Sequence, residues 1–377
     1  MSQNIRDFVP ASCDLVALGE PTHQEPAFQL VRNELFAQLV GLGFRSIALE
    51  TDRIAALTVN DYVQEGIGSL DTAMSEGFTH NFGKLDGNRQ LVSWMHEYNQ
   101  HRRPEERITF HGFDTQTENT TAPSPHAYLE YARDYLKFDI DIANLVGVDE
   151  LWNREEVILD ATKSIGATPE AERLRVIANN MLTALETRAP ELIAATSPAE
   201  WHRARTYLTA GIGLLRYHKQ AARQLDLNAR ISLLSGTRDA LMAQNLLDIR
   251  ALEIRRGPTL AHAHNFHLRR NPGTMHTAGL ILDWVCAGAL VGALLGQQYT
   301  FIAATLGRSE SLGIPDPEPD TYEGQLQSRI TTWGLTPAAT ITPARTRAAT
   351  PPEKGYFPLD QATLDTADTI LHISTST

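Results

Sequence analysis

The stretch DLVALGEPTHQEPAFQLVRNELFAQLVGLGFRSIALE, residues 14–50, decides the fold. Residues 14–20 are a short apolar run, which predicts a buried strand. Apolar residues at helical spacing then predict a helix over residues 25–40, which Gly41 and Gly43 would end. Residues 46–50 form a second apolar run. A strand, a helix and a strand within about forty residues are typical of a βαβ unit, so we expect a parallel strand pair with a right-handed crossover.

Strands that end on an acidic residue recur along the chain. The first two end at Glu20 and Glu50, and a third, over residues 108–114, ends at Asp114. Further strands are predicted over residues 259–265, 299–306 and 369–375, the last of them at an edge. The pattern predicts an α/β fold whose central sheet is mixed, mostly parallel and flanked by helices. Ligands bind beyond the carboxyl ends of such strands, so the three acids favour a site there.

The rest of the chain is predicted to complete one domain over residues 1–377. Helical spacing dominates the middle, so we expect a helical insert at about residues 150–256, forming a lobe over the sheet edge. Eight prolines between residues 307 and 358 predict a long Pro-rich loop there. No internal repeat or low-complexity tract divides the chain.

Composition narrows the class of partner. The chain has 377 residues, with 33 Lys and Arg against 45 Asp and Glu, giving a net charge of −12. This acidic balance argues against nucleic acid and anionic membranes as partners, so we expect a small-molecule substrate.

Cys13 and Cys286 are too far apart in sequence to indicate a disulfide framework or a zinc site. The first ten residues lack the apolar core of a signal peptide, so a cytoplasmic location is expected. The oligomeric state stays open.

Histidine is the residue type that points to chemistry. His23 follows Glu20 by three residues, and His262, His264, His267 and His276 lie within fifteen residues. On a strand, His262 and His264 would point to the same face. Nucleophilic serine catalysis is disfavoured, because the nearest match to a GxSxG motif, residues 307–311, lacks the closing Gly.

Two kinds of acid–base hydrolysis remain. In the first, His262 and His264 bind a metal ion together with the strand-end acids. In the second, no metal takes part: a His paired with a carboxylate deprotonates water, and cationic or N–H donors stabilise the oxyanion. The residues available for the second are Glu20, His23, Arg32, Glu50, His264 and His267. In this mechanism we expect Glu20 or Glu50 to orient the His23 ring, and we expect Arg32, His264 and His267 to face the oxyanion.

The order of these motifs resembles the erythromycin esterase family, which also includes proteins named for succinoglycan biosynthesis. The resemblance covers most of residues 14–306. It is carried by GExxH at residues 19–23, an Arg nine residues later, an acid after GF at Glu50, and AHNxH at residues 263–267. Other matching segments are LVSWMHEYNQ at 91–100, ITFHGFD at 108–114 and RDALMAQNLL at 238–247.

The resemblance implies a metal-free esterase, without a cofactor, that hydrolyses macrolide lactones. His23 matches the general base of the family, and the other residues that it implies as catalytic are Glu20, Glu50, Arg32, His264 and His267. Asn265 matches the residue between the two His of AHNxH; together with Asp114 and the additional His262, it is expected to contact substrate. Gln24 and the Pro-rich segment depart from the family pattern.

Three functions are compatible with these residues. The first is hydrolysis of an ester or lactone in a bulky natural product, which in this family includes antibiotic resistance by macrolide hydrolysis. The second is a biosynthetic tailoring enzyme that uses the same scaffold for elimination, cyclisation or acyl transfer. The third is a binding module for a small hydrophobic ligand, which the full acid–base set disfavours.

Overall fold

The computed structural model describes residues 3–118, 121–277, 279–348 and 355–376. Its strands are, in chain order, β1 (Leu15–Glu20), β2 (Ser46–Asp52), β3 (Thr109–Asp114), β4 (Thr259–His264), β5 (Gly273–Thr277), β6 (Leu280–Trp284), β7 (Tyr299–Ser309), β8 (Trp333–Pro337) and β9 (Thr369–Ser376). Within the described residues, seven strands form one sheet in the order β3-β2-β4-β1-β7-β9-β8, and β5 pairs with β6. All neighbours in the large sheet are parallel except β8 and β9. The predicted mixed, mostly parallel α/β sheet is therefore confirmed.

Helices cover both faces of this sheet and fill its longest connection. Before β4 they are α1 (Pro26–Gly41), α2 (Ala55–Glu65), α3 (Leu70–Glu76), α4 (Asp86–Gln100), α5 (His126–Leu136), α6 (Ile142–Val146), α7 (Glu156–Leu159), α8 (Pro169–Thr187), α9 (Ala189–Ala195), α10 (Pro198–Ala221) and α11 (Leu227–Glu253). After β4 they are α12 (Asn265–Leu268), α13 (Ala287–Leu295), α14 (Tyr322–Gln327) and α15 (Gln361–Leu364).

Strand β1 shows how the sheet is buried on both sides. Val16 and Leu18 face a core that includes Leu35 of α1, whereas Ala17 faces a core that includes Leu246 of α11. A parallel strand covered in this way reads as a continuous apolar run, which is why the sequence reveals it. Burying each such leucine stabilises the fold by about 1.5–3 kcal/mol.

The long helical insert has a core of its own. Leu129 of α5, Leu174 of α8 and Leu208 of α10 pack together there, and α11 then leads back to β4. The helices of this region begin at His126, earlier than the predicted boundary near residue 150. Apolar side chains at helical spacing along α5 bury one face of it against the insert.

The Pro-rich segment needs a correction. It contains helix α14, which Thr321 caps by accepting a hydrogen bond from the Gly324 N–H, and it contains strand β8. Because β8 pairs antiparallel with β9, β8 rather than β9 is the edge strand. Pro337 ends β8, a position that an edge strand tolerates because a proline there breaks no inner hydrogen bond. Residues 349–354 of this segment lie outside the described residues.

The carboxyl ends of four adjacent strands meet at one edge of the sheet. Glu20 of β1 is in register with His264 of β4, and Asp52 of β2 is in register with Asp114 of β3. Glu50 lies two residues before Asp52 on β2. The predicted gathering of the strand-end acids with His264 is thus confirmed, and it defines where a site can form.

Candidate active site

A cavity of about 580 Å³ opens at this edge of the sheet. Its volume lies within the range of roughly 300–1,000 Å³ typical of ligand sites. One part of its wall is charged or polar and includes His23, Glu50, His80, Arg238, Asp239, His264 and His267. Another part is apolar and includes Phe82, Leu85, Phe266, Met275, Leu282, Trp284 and Phe357.

Glu20, the last residue of β1, forms a hydrogen-bonded pair with His23 in the following loop. Nδ1 of His23 lies 2.7 Å from Oε1 of Glu20, and the His23 side chain keeps 32% of its surface exposed. Burial lowers the pKa of His23, but the charge of Glu50 and the bond to Glu20 outweigh it, so the pKa is raised overall. With Nδ1 bound to Glu20, Nε2 is the nitrogen left for proton transfer.

Glu20 itself is buried behind His23. Its second oxygen, Oε2, lies 3.2 Å from Nε2 of His262, without the alignment of a hydrogen bond. Burial raises the pKa of Glu20, but the interactions with His262 and His23 hold it well below its usual range. Glu20 is therefore ionised, and it can both orient the His23 ring and stabilise its protonated form.

Glu50 connects the polar groups of the cavity. Oε2 accepts a hydrogen bond from the backbone N–H of His264 at 2.8 Å and lies 3.8 Å from Nε2 of His23. Oε1 lies 3.3 Å from both Arg238 Nη2 and His267 Nε2. Burial raises the pKa of Glu50, but His267, His23 and Arg238 lower it well below its usual value.

His267 is held between two carboxylates. Nδ1 donates to Oδ1 of Asp239 at 2.8 Å, while Nε2 faces Glu50. Burial alone would lower the pKa of His267, but Asp239 and Glu50 raise it to about 10. Asp239 also accepts hydrogen bonds from Trp284 Nε1 and the Ala287 N–H, which fix its position. His267 is therefore protonated at neutral pH, and its ring is held in place by Asp239 and Glu50.

His264 differs from His267 in charge and in partners. Burial and the neighbouring His23 lower its pKa to about 3, so the ring is neutral. Nε2 donates to the Pro21 carbonyl at 3.2 Å, and Nδ1 accepts from the Phe266 N–H at 3.2 Å. Both nitrogens are occupied by the backbone, so the expected role of His264 as an oxyanion donor is not supported by this geometry.

Sequence reasoning missed a second charged cluster on the cavity wall. Arg238 binds Asp114 through Nε at 2.9 Å and Nη2 at 2.5 Å, and His80 Nε2 lies 3.0 Å from the same carboxylate. Burial raises the pKa of Asp114, but Arg238 and His80 lower it to about 2. Arg238 and Asp239 begin the segment at 238–247 that carried the family resemblance, a signal that could have identified them. His80 lies in a loop with no such signal.

Arg32 is the clearest departure from the expected site. Its side chain is only 1% exposed, and it donates to the side chains of Asn33 and Asn88 and to the Gly87 carbonyl. It borders a separate void of about 20 Å³, also lined by Glu20 and outside the large cavity. The expected contact of Arg32 with the oxyanion is therefore wrong. Arg32 instead holds α1 to the start of α4, outside the cavity, through Asn88 and Gly87.

The three expected substrate contacts also need correction. Asp114 is fully buried under Arg238, and His262 is buried with Nδ1 facing the Leu18 carbonyl at 3.0 Å. The Asn265 amide exchanges two hydrogen bonds with the backbone of Ala304 on β7. The Asn265 side chain also lies against Gly19, and a Cβ there would come within 2.1 Å of it, which explains the Gly of GExxH. These three residues hold the strand ends together and do not line the cavity.

The same geometry bears on whether these side chains could bind a metal ion. In the ranges that the structure describes, no group of three or more His, Cys, Asp or Glu side chains is arranged to hold a metal ion. The nitrogens of His264 in particular are both used by backbone groups. A metal-free reaction stays a prediction.

None of the helices in the described residues combines the length and apolar character needed to span a bilayer.

Three solved structures share this fold. A protein from Bacillus cereus matches with a TM-score of 0.73 and 16% identity, covering 98% of this chain and 90% of that one. A succinoglycan biosynthesis protein matches with a TM-score of 0.67 and 18% identity, over 99% and 92%. A mutant of the erythromycin esterase EreC in its open conformation matches with a TM-score of 0.67 and 18% identity, over 97% and 92%. At these identities the likeness shows the fold alone.

Sequence comparison adds the family. A search of curated proteins finds no significant match. The sequence profile of the erythromycin esterase family, in contrast, matches residues 41–373, which is most of the chain. The protein therefore belongs to the erythromycin esterase family.

Proposed function

We propose that the protein is a hydrolase that cleaves an ester or lactone bond in a bulky natural product, with His23 as the general base. The observation that carries the proposal is the 2.7 Å contact between His23 and Glu20 at the wall of the 580 Å³ cavity. Family membership supports hydrolase activity. The name of EreC describes that protein's activity on erythromycin, and a macrolide-like substrate is our proposal for this chain.

The first step is the activation of water. In the neutral ring, Nδ1–H donates to Glu20 and the lone pair of Nε2 faces the cavity beside Glu50. Nε2 takes a proton from water, and the oxygen attacks the acyl carbon of the ester. The imidazolium that forms lies between the carboxylates of Glu20 and Glu50, which stabilise its positive charge.

The second step returns the proton. The tetrahedral intermediate collapses, its carbon–oxygen double bond re-forms, and the bond to the leaving alcohol breaks. The alcohol oxygen takes the proton that Nε2 received from water, so the products are one carboxylic acid and one alcohol, and His23 is neutral again. Every proton in this cycle moves through His23, so we propose that neither a metal nor another cofactor takes part.

The apolar part of the wall indicates the class of substrate. Phe357 packs its ring 5.0 Å from His264 and 5.2 Å from Phe266, and Trp284 stacks on Phe266 at 6.1 Å. These rings lie next to the reacting groups and offer a large apolar contact area. They suit a substrate with a bulky hydrocarbon body on at least one side of its ester bond, such as a macrolide lactone.

The experiment that tests the proposal is a panel of aryl esters and macrolide lactones, assayed by mass spectrometry in heavy-oxygen water. Hydrolysis predicts a product that gains one water and carries the label in its new carboxyl group. A product formed without gain of water would instead support a non-hydrolytic tailoring reaction. The absence of any reaction across the panel, with bulky ligands still bound, would support a binding module.

Two controls make the assay specific. His101→Ala changes an exposed histidine of the loop after α4 and should leave turnover unchanged. Activity that survives extensive treatment with a chelator supports the metal-free reaction. Loss of activity on chelation, restored by one equivalent of metal, would contradict it.

A further inference from the structure

The proposed hydrolysis leaves its oxyanion without an obvious donor. A tetrahedral intermediate needs N–H groups aimed at the developing negative charge, and each such donor contributes about 3–4 kcal/mol. The ring N–H of His264 donates to Pro21, and both ring nitrogens of His267 face carboxylates. Arg32 lies outside the cavity. The residues that the sequence analysis predicted for this task are therefore bound to other protein groups.

His80, another histidine of the cavity wall, is also bound to other protein groups. Its Nε2 lies 3.0 Å from Asp114, and its Nδ1 lies 2.8 Å from Glu118. Burial lowers the pKa of His80, but Asp114 and Glu50 outweigh it, so the pKa is raised overall. Both ring nitrogens face protein carboxylates, so neither is left to donate into the cavity.

Arg238 is different, because one of its nitrogens is left over. Nε and Nη2 bind Asp114, and Nη2 also reaches Glu50. Among the described residues, Nη1 has no hydrogen-bond partner. It is also absent from the fully buried side-chain atoms that lack a partner, so Nη1 is accessible from outside the protein. The Arg238 side chain lines the cavity and is 22% exposed. The two N–H groups of Nη1 are therefore available to a ligand.

The position of Arg238 fits a reaction at His23. Arg238 approaches Oε1 of Glu50, and Nε2 of His23 approaches Oε2 of the same carboxylate. The guanidinium and the base thus border one side of the cavity with a single carboxylate between them. The bidentate contact to fully buried Asp114 holds the guanidinium in place before substrate arrives. Such preorganised donors need little rearrangement during the reaction.

We propose that Arg238 is a further catalytic residue, which donates from Nη1 to the carbonyl oxygen of the ester; this inference rests on the proposed hydrolysis. When the water oxygen bonds to the acyl carbon, the π electrons of the carbonyl move to its oxygen, which Nη1 stabilises by hydrogen bonding. When the intermediate collapses, those electrons re-form the double bond and the alcohol leaves with the proton from His23. Arg238 gives up no proton in this sequence.

The test compares Arg238→Lys with Arg203→Lys, which changes an arginine paired with Asp61 outside this cavity. Lysine keeps the charge but loses the planar fork that binds Asp114 and presents Nη1 together. We expect Arg238→Lys to lower kcat about 10²–10³-fold with KM changed less than about threefold. We expect Arg203→Lys to leave both parameters near wild type. A kcat of Arg238→Lys within about threefold of wild type would overturn the inference.

A second pair of variants separates catalysis from folding. Asp114→Asn removes the carboxylate that an Arg238 substitution would leave unpaired, so the double variant Asp114→Asn/Arg238→Gln avoids a buried uncompensated charge. The double variant should unfold within a few degrees of Asp114→Asn yet lose about 10²-fold in kcat relative to it. Equal kcat values in this pair would also overturn the inference.

Binding of a tetrahedral phosphonate anion distinguishes this inference from the proposed function. Calorimetry should show about 10²-fold weaker phosphonate binding in Arg238→Lys than in wild type. If wild type hydrolyses no ester but binds the phosphonate through Arg238, the proposed hydrolysis fails and the anion-stabilising role stands. If wild type hydrolyses esters and phosphonate binding ignores Arg238, only the inference fails.

Discussion

Oε1 of Glu20 lies 2.7 Å from Nδ1 of His23, three residues along the chain and beyond the end of the same strand. Strand β1 is buried along its whole length, so Glu20 is fixed by the sheet, while His23 follows it in the loop. The acid is ionised because its pKa is held low, and the His pKa is raised in return. A short GExxH segment therefore supplies both a base and the group that orients it.

Replacing Glu20 by Gln should shift the pH profile in a defined direction. The base must be neutral, and its pKa is raised, so kcat/KM of wild type should rise with pH through a midpoint above the value of about 6.5 for an unperturbed histidine. Glu20→Gln removes one charge that raises this pKa, so the midpoint should move to lower pH. A looser ring should also lower kcat by up to about 10²-fold. Glu34→Gln, at an exposed position of α1, is the matched control; an unmoved midpoint in Glu20→Gln would count against the pairing.

His267 should make stability fall at alkaline pH. Its folded pKa, about 10, is raised above the unfolded value, so its contribution is complete below about pH 6.5 and is lost as the pH rises through about 10. His267→Gln removes the buried cation that lies between Asp239 and Glu50, so we expect it to lower the free energy of unfolding by about 3–5 kcal/mol at neutral pH. The difference from wild type should shrink by pH 10. Urea unfolding at both pH values measures it, and a difference that grows with pH would refute this assignment.

Arg32 should matter for stability more than for turnover. Its guanidinium donates to Asn33, Asn88 and the Gly87 carbonyl behind the cavity. Arg32→Lys leaves some of these buried acceptors unsatisfied, so we expect a loss of about 1–3 kcal/mol in the free energy of unfolding. Because the side chain lies outside the cavity, kcat should stay within about tenfold. A stable Arg32→Lys protein with a kcat loss of 10²-fold or more would restore the role in oxyanion binding.

Phe357 should select for bulky substrates. It packs on His264 and Phe266, and its backbone N–H donates to the Pro21 carbonyl at 3.0 Å, which ties this segment to the loop after β1. Phe357→Ala removes apolar contact area, so KM for a bulky ester should rise roughly tenfold, about 1.4 kcal/mol. KM for a small ester such as an acetate should change little. Steady-state kinetics on the two substrates gives the ratio; equal effects on both would argue against a specificity role.

Sequence predicted the fold well where burial leaves a simple pattern. The parallel strands are apolar on both faces, so β1, β2 and β3 appear as continuous runs that end on Glu20, in SIALE at 46–50 and on Asp114. The edge strand β8 was not predicted, because it lies among prolines and pairs with another strand on one side only. A weak, one-sided pairing imposes little hydrophobic pattern, so it is hidden from a periodicity argument.

The candidate site was predictable in its composition but not in its contacts. His23 of GExxH, Glu50 near the end of β2 and His264 of AHNxH all line the cavity, as their positions at the carboxyl ends of the strands indicated. Which side chain faces the cavity depends on tertiary hydrogen bonds, and these hold Arg32 outside the cavity and Arg238 at its wall. Arg238 comes from a helix 188 residues after Glu50, a distance across which sequence spacing carries no geometric information.

The central claim is that His23 removes the proton from water, and one measurement tests it most directly. His23→Ala should be assayed for turnover of a hydrolysed ester, with binding of the same ester or a non-hydrolysable amide analogue measured separately by calorimetry. The account predicts a loss of about 10²–10⁴-fold in kcat with the dissociation constant changed less than about threefold. Retained binding together with a kcat within about tenfold of wild type would contradict it.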